Sequence, residues 1–165
     1  MKTTAFAITS LLLAVNAQAE YLFQPEGCEF SVTFPDTPTI EEKVSKTTGE
    51  VYQQVTYGVD GGFVSADCQP YDRVAVPPEE NAKISHGAFI KNWSLTPVEY
   101  QYETTELGES AWYSGKKILD GAPMIYETAN HYGEKTWLVI YAGILTQTEV
   151  DTRDIRFKIF DSVSR

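Results

Sequence analysis

The sequence predicts an α+β fold in which two helices cover an antiparallel β-sheet. Apolar and polar residues alternate with a period of two along most of the chain, which is typical of strands with one buried face. Short glycine-containing turn signals interrupt this alternation, as expected between the strands of hairpins. Two further segments space their apolar residues three or four positions apart, which indicates amphipathic helices.

The first nineteen residues have the pattern of a cleaved signal peptide. Lys2 gives a positive start, the run from Ala5 to Val15 is apolar, and Ala17 and Ala19 are the small residues that precede a cleavage site. This run is about half the length that a membrane-spanning helix needs. We therefore expect residues 1–19 to be removed during export, without a membrane anchor. The short leader favours the bacterial periplasm, and secretion beyond it is the alternative.

The remaining residues 20–165 are expected to form one α+β domain, since 146 residues suffice for one core but not comfortably for two. The first strand group has five alternating segments, at 21–24, 28–34, 39–46, 50–59 and 62–69. A Pro-Asp-Thr-Pro turn follows the second segment, and Asp60-Gly61 favours a tight hairpin between the last two. The second group is a four-stranded meander with strands at 98–105, 111–119, 123–132 and 135–143.

Two segments are predicted to be helices. The first begins at Pro77-Pro78, because proline suits the first helical turn, and the acids that follow complement the helix dipole. Pro97 prevents it from continuing, and its packed face should contain Ala82, Ser85, Phe89 and Trp93. The second runs from Asp151 to Val163, with Asp151 or Thr152 as cap and an apolar side formed by Ile155, Ile159, Phe160 and Val163.

Three features of the chain are similar to known proteins. Residues 28–35 form an apolar strand that ends in a proline turn, the first helix precedes a strand that starts near 107–111, and the closing helix ends in Ser162 and Ser164. In these features most of the chain resembles the Mog1/PsbP-like fold, which includes bacterial periplasmic domains of the DcrB type. The resemblance implies a protein that acts by binding other proteins rather than by catalysis.

Cys28 and Cys68 are the two cysteines of the chain, and each lies on the apolar side of its strand. In an oxidising compartment such a pair is most simply one disulfide. Closing a loop of about forty residues should stabilise the fold by about 3–4 kcal/mol in the chain-entropy model. A redox pair or a thiolate metal site is disfavoured, because a Cys-x-x-Cys spacing and adjacent histidines are both missing.

The charge of the chain restricts its partners. Without Lys2, 12 basic residues stand against 23 acidic ones, a formal charge of −11. Nucleic acid and anionic membranes are poor partners for such a surface, whereas a basic protein or a cation would be attracted. The alternative interpretation is that the acids keep an exported protein in solution.

The sequence predicts no catalytic residue, no metal site and no cofactor. His86 and His131 each lack a further ligand nearby in sequence, and the Gly-Glu-Ser-Ala-Trp segment at 108–112 lacks the second glycine of a nucleophile elbow. Paired acids point to opposite faces of a strand or stand at helix starts, where acids are expected. These are Glu41-Glu42, Glu79-Glu80, and Asp151 with Asp154.

The aromatic content is high, with ten Tyr and three Trp. Trp112 and Tyr52 share their strand faces with polar residues, so we treat them as candidate interface residues, with a place in the core as the equal alternative. For Tyr100, Tyr102 and Trp137 the core is favoured.

These observations predict a non-enzymatic protein-binding or accessory domain of the periplasm whose partner is another envelope protein, with a basic protein as one candidate. One alternative is an acidic inhibitor or immunity protein directed against a basic toxin or a cell-wall hydrolase. The second alternative is a small hydrolase, which the missing motifs disfavour.

Overall fold

A computed structural model describes residues 19–45, 49–147 and 150–165. The leader predicted at residues 1–19 lies outside this part of the chain except for its last residue, and so do the side chains of the predicted cap at Asp151 or Thr152. The elements are β1 (Tyr21–Phe23), β2 (Val32–Phe34), β3 (Thr39–Val44), β4 (Val51–Val59), β5 (Gly62–Pro70), α1 (Pro78–Asn92), β6 (Thr96–Thr105), β7 (Gly108–Leu119), β8 (Ala122–Tyr132), β9 (Thr136–Leu145) and α2 (Val150–Asp161).

Seven strands form one antiparallel sheet in the order β3-β4-β5-β9-β8-β7-β6, and β1 pairs with β2 in a separate ribbon. The predicted α+β class and the four-stranded meander are confirmed. The meander joins the first strand group through β5 and β9, where Val64 lies opposite Ala142. Strands β3 and β6 are the outer strands, and the register of β6 shifts between Pro97 and Glu99.

The predicted strand at 28–34 is shorter than expected. Regular pairing begins only at Val32, because the backbone before it bonds elsewhere: the Cys28 N–H donates to the Pro25 carbonyl in a turn, 3.0 Å away, and the Glu29 N–H donates to the Thr136 hydroxyl, also 3.0 Å away. Ser31 forms an isolated antiparallel bridge with Ser164, which follows α2. The alternation still decides burial, since the apolar side chains at 30, 32 and 34 are all fully buried.

The helices lie on opposite faces of the sheet, each over one half. On the first face α1 packs over the β6-β7-β8 half, where Ala82 meets Ala111, Tyr113 and Tyr132. On the second face α2 and the β1-β2 ribbon cover the half formed by β4, β5 and β9. This larger core contains Phe23, Phe30, Val32, Phe34, Val55, Val64, Ala66, Cys68, Leu138, Ile140, Ala142, Ile144 and Ile159.

Trp93 differs from its prediction. It was expected on the packed face of α1, but the helix ends at Asn92 and Trp93 is the residue that follows, 37% exposed. Its ring lies 5.2 Å from that of Tyr126, with the Lys117 ammonium 5.7 Å from its centre. The apolar side predicted for α2 is present, because Ile155, Ile159, Phe160 and Val163 all belong to the larger core.

The predicted disulfide is present and joins Cys28 to Cys68, with their Cα atoms 6.1 Å apart. It ties the turn before β2 to β5 in the middle of the sheet. Neither helix in the described part of the chain has the length and apolar character needed to cross a membrane.

Candidate functional site

Each face of the sheet has a groove beside the half that its helix covers. The groove on the second face, next to α2, includes Trp112 among its lining residues and is called the Trp112 groove. The groove on the first face, next to α1, includes Tyr52 and is called the Tyr52 groove. The two candidate interface residues are half-buried and lie on opposite faces, so they do not belong to one surface.

The Trp112 groove has a volume of about 520 Å³ and a floor made by β6, β7 and β8. Antiparallel pairing places Trp112 between Gln101 and Ala129, with all three side chains on this face. Helix α2 forms the opposite wall through Phe157, which is 51% exposed, and through Phe160. The groove is thus aromatic in its centre and open to solvent.

The rim of the Trp112 groove is acidic. Glu103, Glu106 and Asp161 line it and are exposed. The single cationic side chain among the lining residues is Arg156, which forms a buried ion pair with Glu127. Burial raises the pKa of the Glu127 carboxyl, and the guanidinium beside it acts in the opposite direction. The solvent-facing charge of the lining residues is therefore negative.

His131 lies in the same groove as a neutral ring. Burial lowers its pKa to about 4, and its ring lies 6.0 Å from that of Phe30. Ser110 lies directly opposite in the register of β7 and β8, yet neither buried ring nitrogen of His131 has a hydrogen-bond partner in the described structure. Ser110 and His131 therefore do not form the bonded nucleophile–base pair that a serine hydrolase uses.

His86 lies on the other face, between α1 and the sheet. Its ring is 5.0 Å from that of Tyr100 and 5.2 Å from that of Tyr113, and burial lowers its pKa. Within the described ranges, no three His, Cys, Asp or Glu side chains come together as a metal ion would need.

The Tyr52 groove has a volume of about 460 Å³, and half of its lining residues are aromatic: Tyr52, Phe89, Trp93, Tyr113, Trp137 and Tyr141. Trp137, which was expected in the core, is half-buried here. Tyr100 and Tyr102 are half-buried at the edge of the cluster around Ala82.

A buried carboxyl lies behind the lining of this groove, in the sheet register between Gln54 of β4 and Val139 of β9. Asp67 is 4% exposed, and its carboxylate accepts hydrogen bonds from the Gln69 amide at 2.7 Å and from the Gln54 amide at 3.5 Å. The same Gln54 amide also donates to the Tyr141 hydroxyl. Burial raises the pKa of Asp67 to about 6, and the two amide donors only partly oppose this.

Asp67, Glu127 and Arg156 were not singled out from the sequence. In β5, Asp67 alternates with the apolar residues Ala66 and Cys68, so the two-residue period places it on the opposite face of the strand. The missed signal is the position of the strand: β5 has neighbours on both sides, and polar residues of central strands are often covered. Glu127 is an acid between Ile125 and Ala129 on one face of β8. An acid among apolar neighbours is the signal that could have indicated a buried ion pair.

No protein-family model matches the chain, and no curated protein sequence matches it. Its structure is similar to LpqN, which is involved in cell envelope biogenesis of Mycobacterium tuberculosis, with a TM-score of 0.53 and 12% identity over 88% of this chain and 90% of LpqN. It is also similar to cyanobacterial PsbP (CyanoP) from Synechocystis sp. PCC 6803, with a TM-score of 0.57 and 6% identity over 95% and 98% of the two chains. The Ran-binding protein Mog1p of Saccharomyces cerevisiae overlaps with a TM-score of 0.47 and 10% identity over 89% and 95%. The Mog1/PsbP-like fold predicted from the sequence is confirmed.

Proposed function

We propose that the chain is a non-enzymatic protein-binding or accessory domain of the periplasm, and that it holds another envelope protein in the Trp112 groove. The observation that carries this proposal is an aromatic groove that stays open beside α2, with Trp112 half-buried at its floor and Phe157 exposed on its wall. Tryptophan in a partly enclosed site is typical of residues that dominate binding energy in protein interfaces.

Export to the periplasm is supported by two observations. The Cys28–Cys68 disulfide belongs to an oxidising compartment, and residues 1–19 have the composition of a signal peptide. The similarity in fold to LpqN, a protein involved in cell envelope biogenesis, is in keeping with a role in the envelope.

The acidic rim favours a partner segment with basic residues around an apolar anchor. Glu103, Glu106 and Asp161 would meet these basic residues, while Trp112 and Phe157 would contact the anchor. Charge complementarity of this kind mainly raises the association rate, whereas the buried aromatic contacts slow dissociation.

A second candidate function is an acidic inhibitor of a basic toxin or cell-wall hydrolase. The observation that favours it is the formal charge of −11 that the chain carries without its leader, together with the acidic rim. Binding dominated by such charges weakens steeply with salt, whereas binding dominated by aromatic contacts does not.

The test is to capture partners from the envelope of the source cell with the purified, immobilised protein at low and at high salt. Trp112→Ala is compared with Leu22→Ala, a control at a 58% exposed apolar residue of the β1-β2 ribbon. A stoichiometric partner that survives high salt and is lost with Trp112→Ala supports the accessory function. A basic partner that both variants retain, and that high salt releases, supports the inhibitor and overturns binding through the Trp112 groove.

A further inference from the structure

The aromatic side chains of the Tyr52 groove are held in place by contacts behind them. Trp137 stacks on Tyr132 with ring centres 6.0 Å apart, and its indole N–H donates to the Asn130 side chain at 3.0 Å. Tyr141 meets Phe63 edge to face at 6.1 Å, and Trp93 lies 5.2 Å from Tyr126. Because these contacts limit rotation, the rings form a preorganised surface rather than one that must be ordered by a ligand.

The Asp67 carboxyl supplies negative charge under this surface. It forms no ion pair in the described structure, and its side-chain partners are the two amides of Gln54 and Gln69. At neutral pH, above its pKa of about 6, most molecules hold it ionised. Burying a carboxylate without a counter-charge costs free energy, so a cation bound nearby would stabilise the folded protein.

Nothing in the lining of the groove supplies that cation. Besides the aromatic rings, the lining consists of Gln69, Ser85, Ala88, Asn92, Thr128 and Val139, all of them uncharged. Two lysines approach from outside the lining. Lys43 of β3 lies opposite Tyr52, and its ammonium pairs with Glu41. Lys117 of β7 places its ammonium 5.7 Å from the centre of the Trp93 ring and 5.0 Å from that of Tyr126, so it covers the end of the groove at Trp93 and leaves the rings around Asp67 without a cation. The groove therefore combines ring faces, which attract cations through their quadrupoles, with one uncompensated carboxylate.

We propose that the Tyr52 groove binds a small organic cation with an alkylammonium group, whose charge lies over the aromatic rings and close to the Asp67 carboxylate. Its volume of about 460 Å³ lies within the range of small-molecule sites. Rings and a carboxylate together select the cation over a neutral molecule of the same shape, since only the cation gains from both. This site lies on the opposite face from the Trp112 groove and does not depend on the protein-binding function.

The test compares choline with 3,3-dimethylbutan-1-ol, its uncharged isostere, by calorimetric titration of the purified protein. Choline should bind about tenfold more tightly than the alcohol, a preference to which the Asp67 carboxylate contributes more than the aromatic rings do. In nuclear magnetic resonance spectra, choline should shift the indole signals of Trp93 and Trp137. The Trp112 indole on the opposite face is the internal reference and should not move.

Two variants separate the carboxylate from the rings. Asp67→Asn keeps the shape and removes the charge, so it should abolish most of the tenfold preference for choline while the alcohol binds as before. Trp93→Ala, at a 37% exposed position after the end of α1, should weaken choline binding about fivefold and leave the fold intact.

Three results would overturn the proposal: equal affinity for choline and the alcohol, an unchanged preference in Asp67→Asn, or no choline binding at tens of millimolar. N-acetyl-lysine N-methylamide is the remaining probe. If it binds more tightly than both choline and butylammonium, the cation belongs to a protein side chain and the assignment to a free small molecule is wrong.

Discussion

The carboxylate of Glu29 occupies the space into which a β-carbon on Gly133 would project. A β-carbon built there would lie 2.7 Å from Glu29 Cδ and 3.0 Å from the Thr136 carbonyl oxygen. The same carboxylate accepts the backbone N–H groups of Lys135 and Thr136 at 2.8 and 2.9 Å and pairs with Arg165 at 3.1 Å. Glu29 thus joins the segment before β2 to the turn between β8 and β9 and to Arg165, which follows α2.

We predict that Gly133→Ala lowers the free energy of unfolding by about 1–3 kcal/mol, because the new methyl group displaces the Glu29 carboxylate from its N–H donors. Chemical denaturation measures the change. The matched control is Gly87→Ala in the middle of α1, where a β-carbon meets nothing within 4 Å. This control should be more stable by about 0.5–1 kcal/mol. Equal effects of the two substitutions would contradict the prediction.

The stability of the protein should fall in acid through Glu29. Burial acts to raise the pKa of its carboxyl, but hydrogen bonds from the backbone at 134–136 and from Arg165 outweigh this and lower the pKa from 4.5 to about 2. A lowered folded-state pKa contributes stability above the unfolded value near 4.5, and this stability is lost as the pH falls toward 2. Between pH 5 and 2, the free energy of unfolding should fall less steeply with decreasing pH in Glu29→Gln than in the wild type, as measured by chemical denaturation at several pH values. An identical slope in both proteins would exclude this role.

The ionised Asp67 should lower the stability of the folded protein, whereas the ionised Glu29 raises it. Burial raises its folded-state pKa from 3.8 to about 6, so the folded protein holds this proton more tightly than the unfolded chain does. The loss of stability that this causes is absent below the unfolded-state pKa of 3.8. It grows as the pH rises from 3.8 to about 6 and reaches its full size above pH 6. Asp67→Asn should therefore be more stable than the wild type at pH 8 and equal to it near pH 3. A constant difference across this range would show that the charge is not responsible.

Breaking the disulfide should cost about 3–4 kcal/mol, because Cys28 and Cys68 are 40 residues apart and their bond restricts the unfolded chain. The double substitution Cys28→Ser with Cys68→Ser tests this without a reductant. Its denaturation midpoint should coincide with that of the reduced wild type. If reduction leaves the midpoint of the wild type unchanged, the bond does not contribute to stability.

The ion pair between Arg156 and Glu127 joins α2 to β8 and is the most buried one in the described structure, with side chains 8% and 10% exposed. Glu127→Gln leaves the guanidinium buried without a counter-charge, so we expect a loss of about 3–5 kcal/mol. The comparison is Glu79→Gln, which removes an exposed pair with Lys83 along α1 and should leave the stability almost unchanged, because solvent screens this pair. Thermal unfolding of both variants and the wild type measures the two losses of stability, and equal losses would contradict the prediction.

The fold was predictable because its signals are local. Alternation and the turn pairs at 60–61 and 120–121 define the hairpins without reference to the rest of the chain. The pairing of β5 with β9 was not predicted, because it joins strands about seventy residues apart and no local pattern encodes such a partner. Trp93 was misplaced because helical spacing gives the direction of a side chain but not the residue at which a helix ends.

The candidate site was predictable only in part. Trp112 and Tyr52 were selected because large aromatic residues stood among polar neighbours, and both line grooves; their role as interface residues stays a prediction. Asp67 was missed because a two-residue period tells which residues share a face, whereas burial depends on what covers that face. Its cover comes from Gln54 and Tyr141, on two other strands.

The outer strands of the sheet also affect whether copies of this molecule associate through their sheet edges. An unpaired strand edge is a template onto which another chain can add, and proteins blunt it with charges, proline or bulges. Here β6 has Pro97 and a register shift near one end, followed by Glu99 and Glu103, while β3 places Glu41 and Glu42 on the opposite edge. Edge-to-edge contact in either direction would bring carboxylates against carboxylates, so these acids disfavour the growth of fibres by strand addition to this sheet.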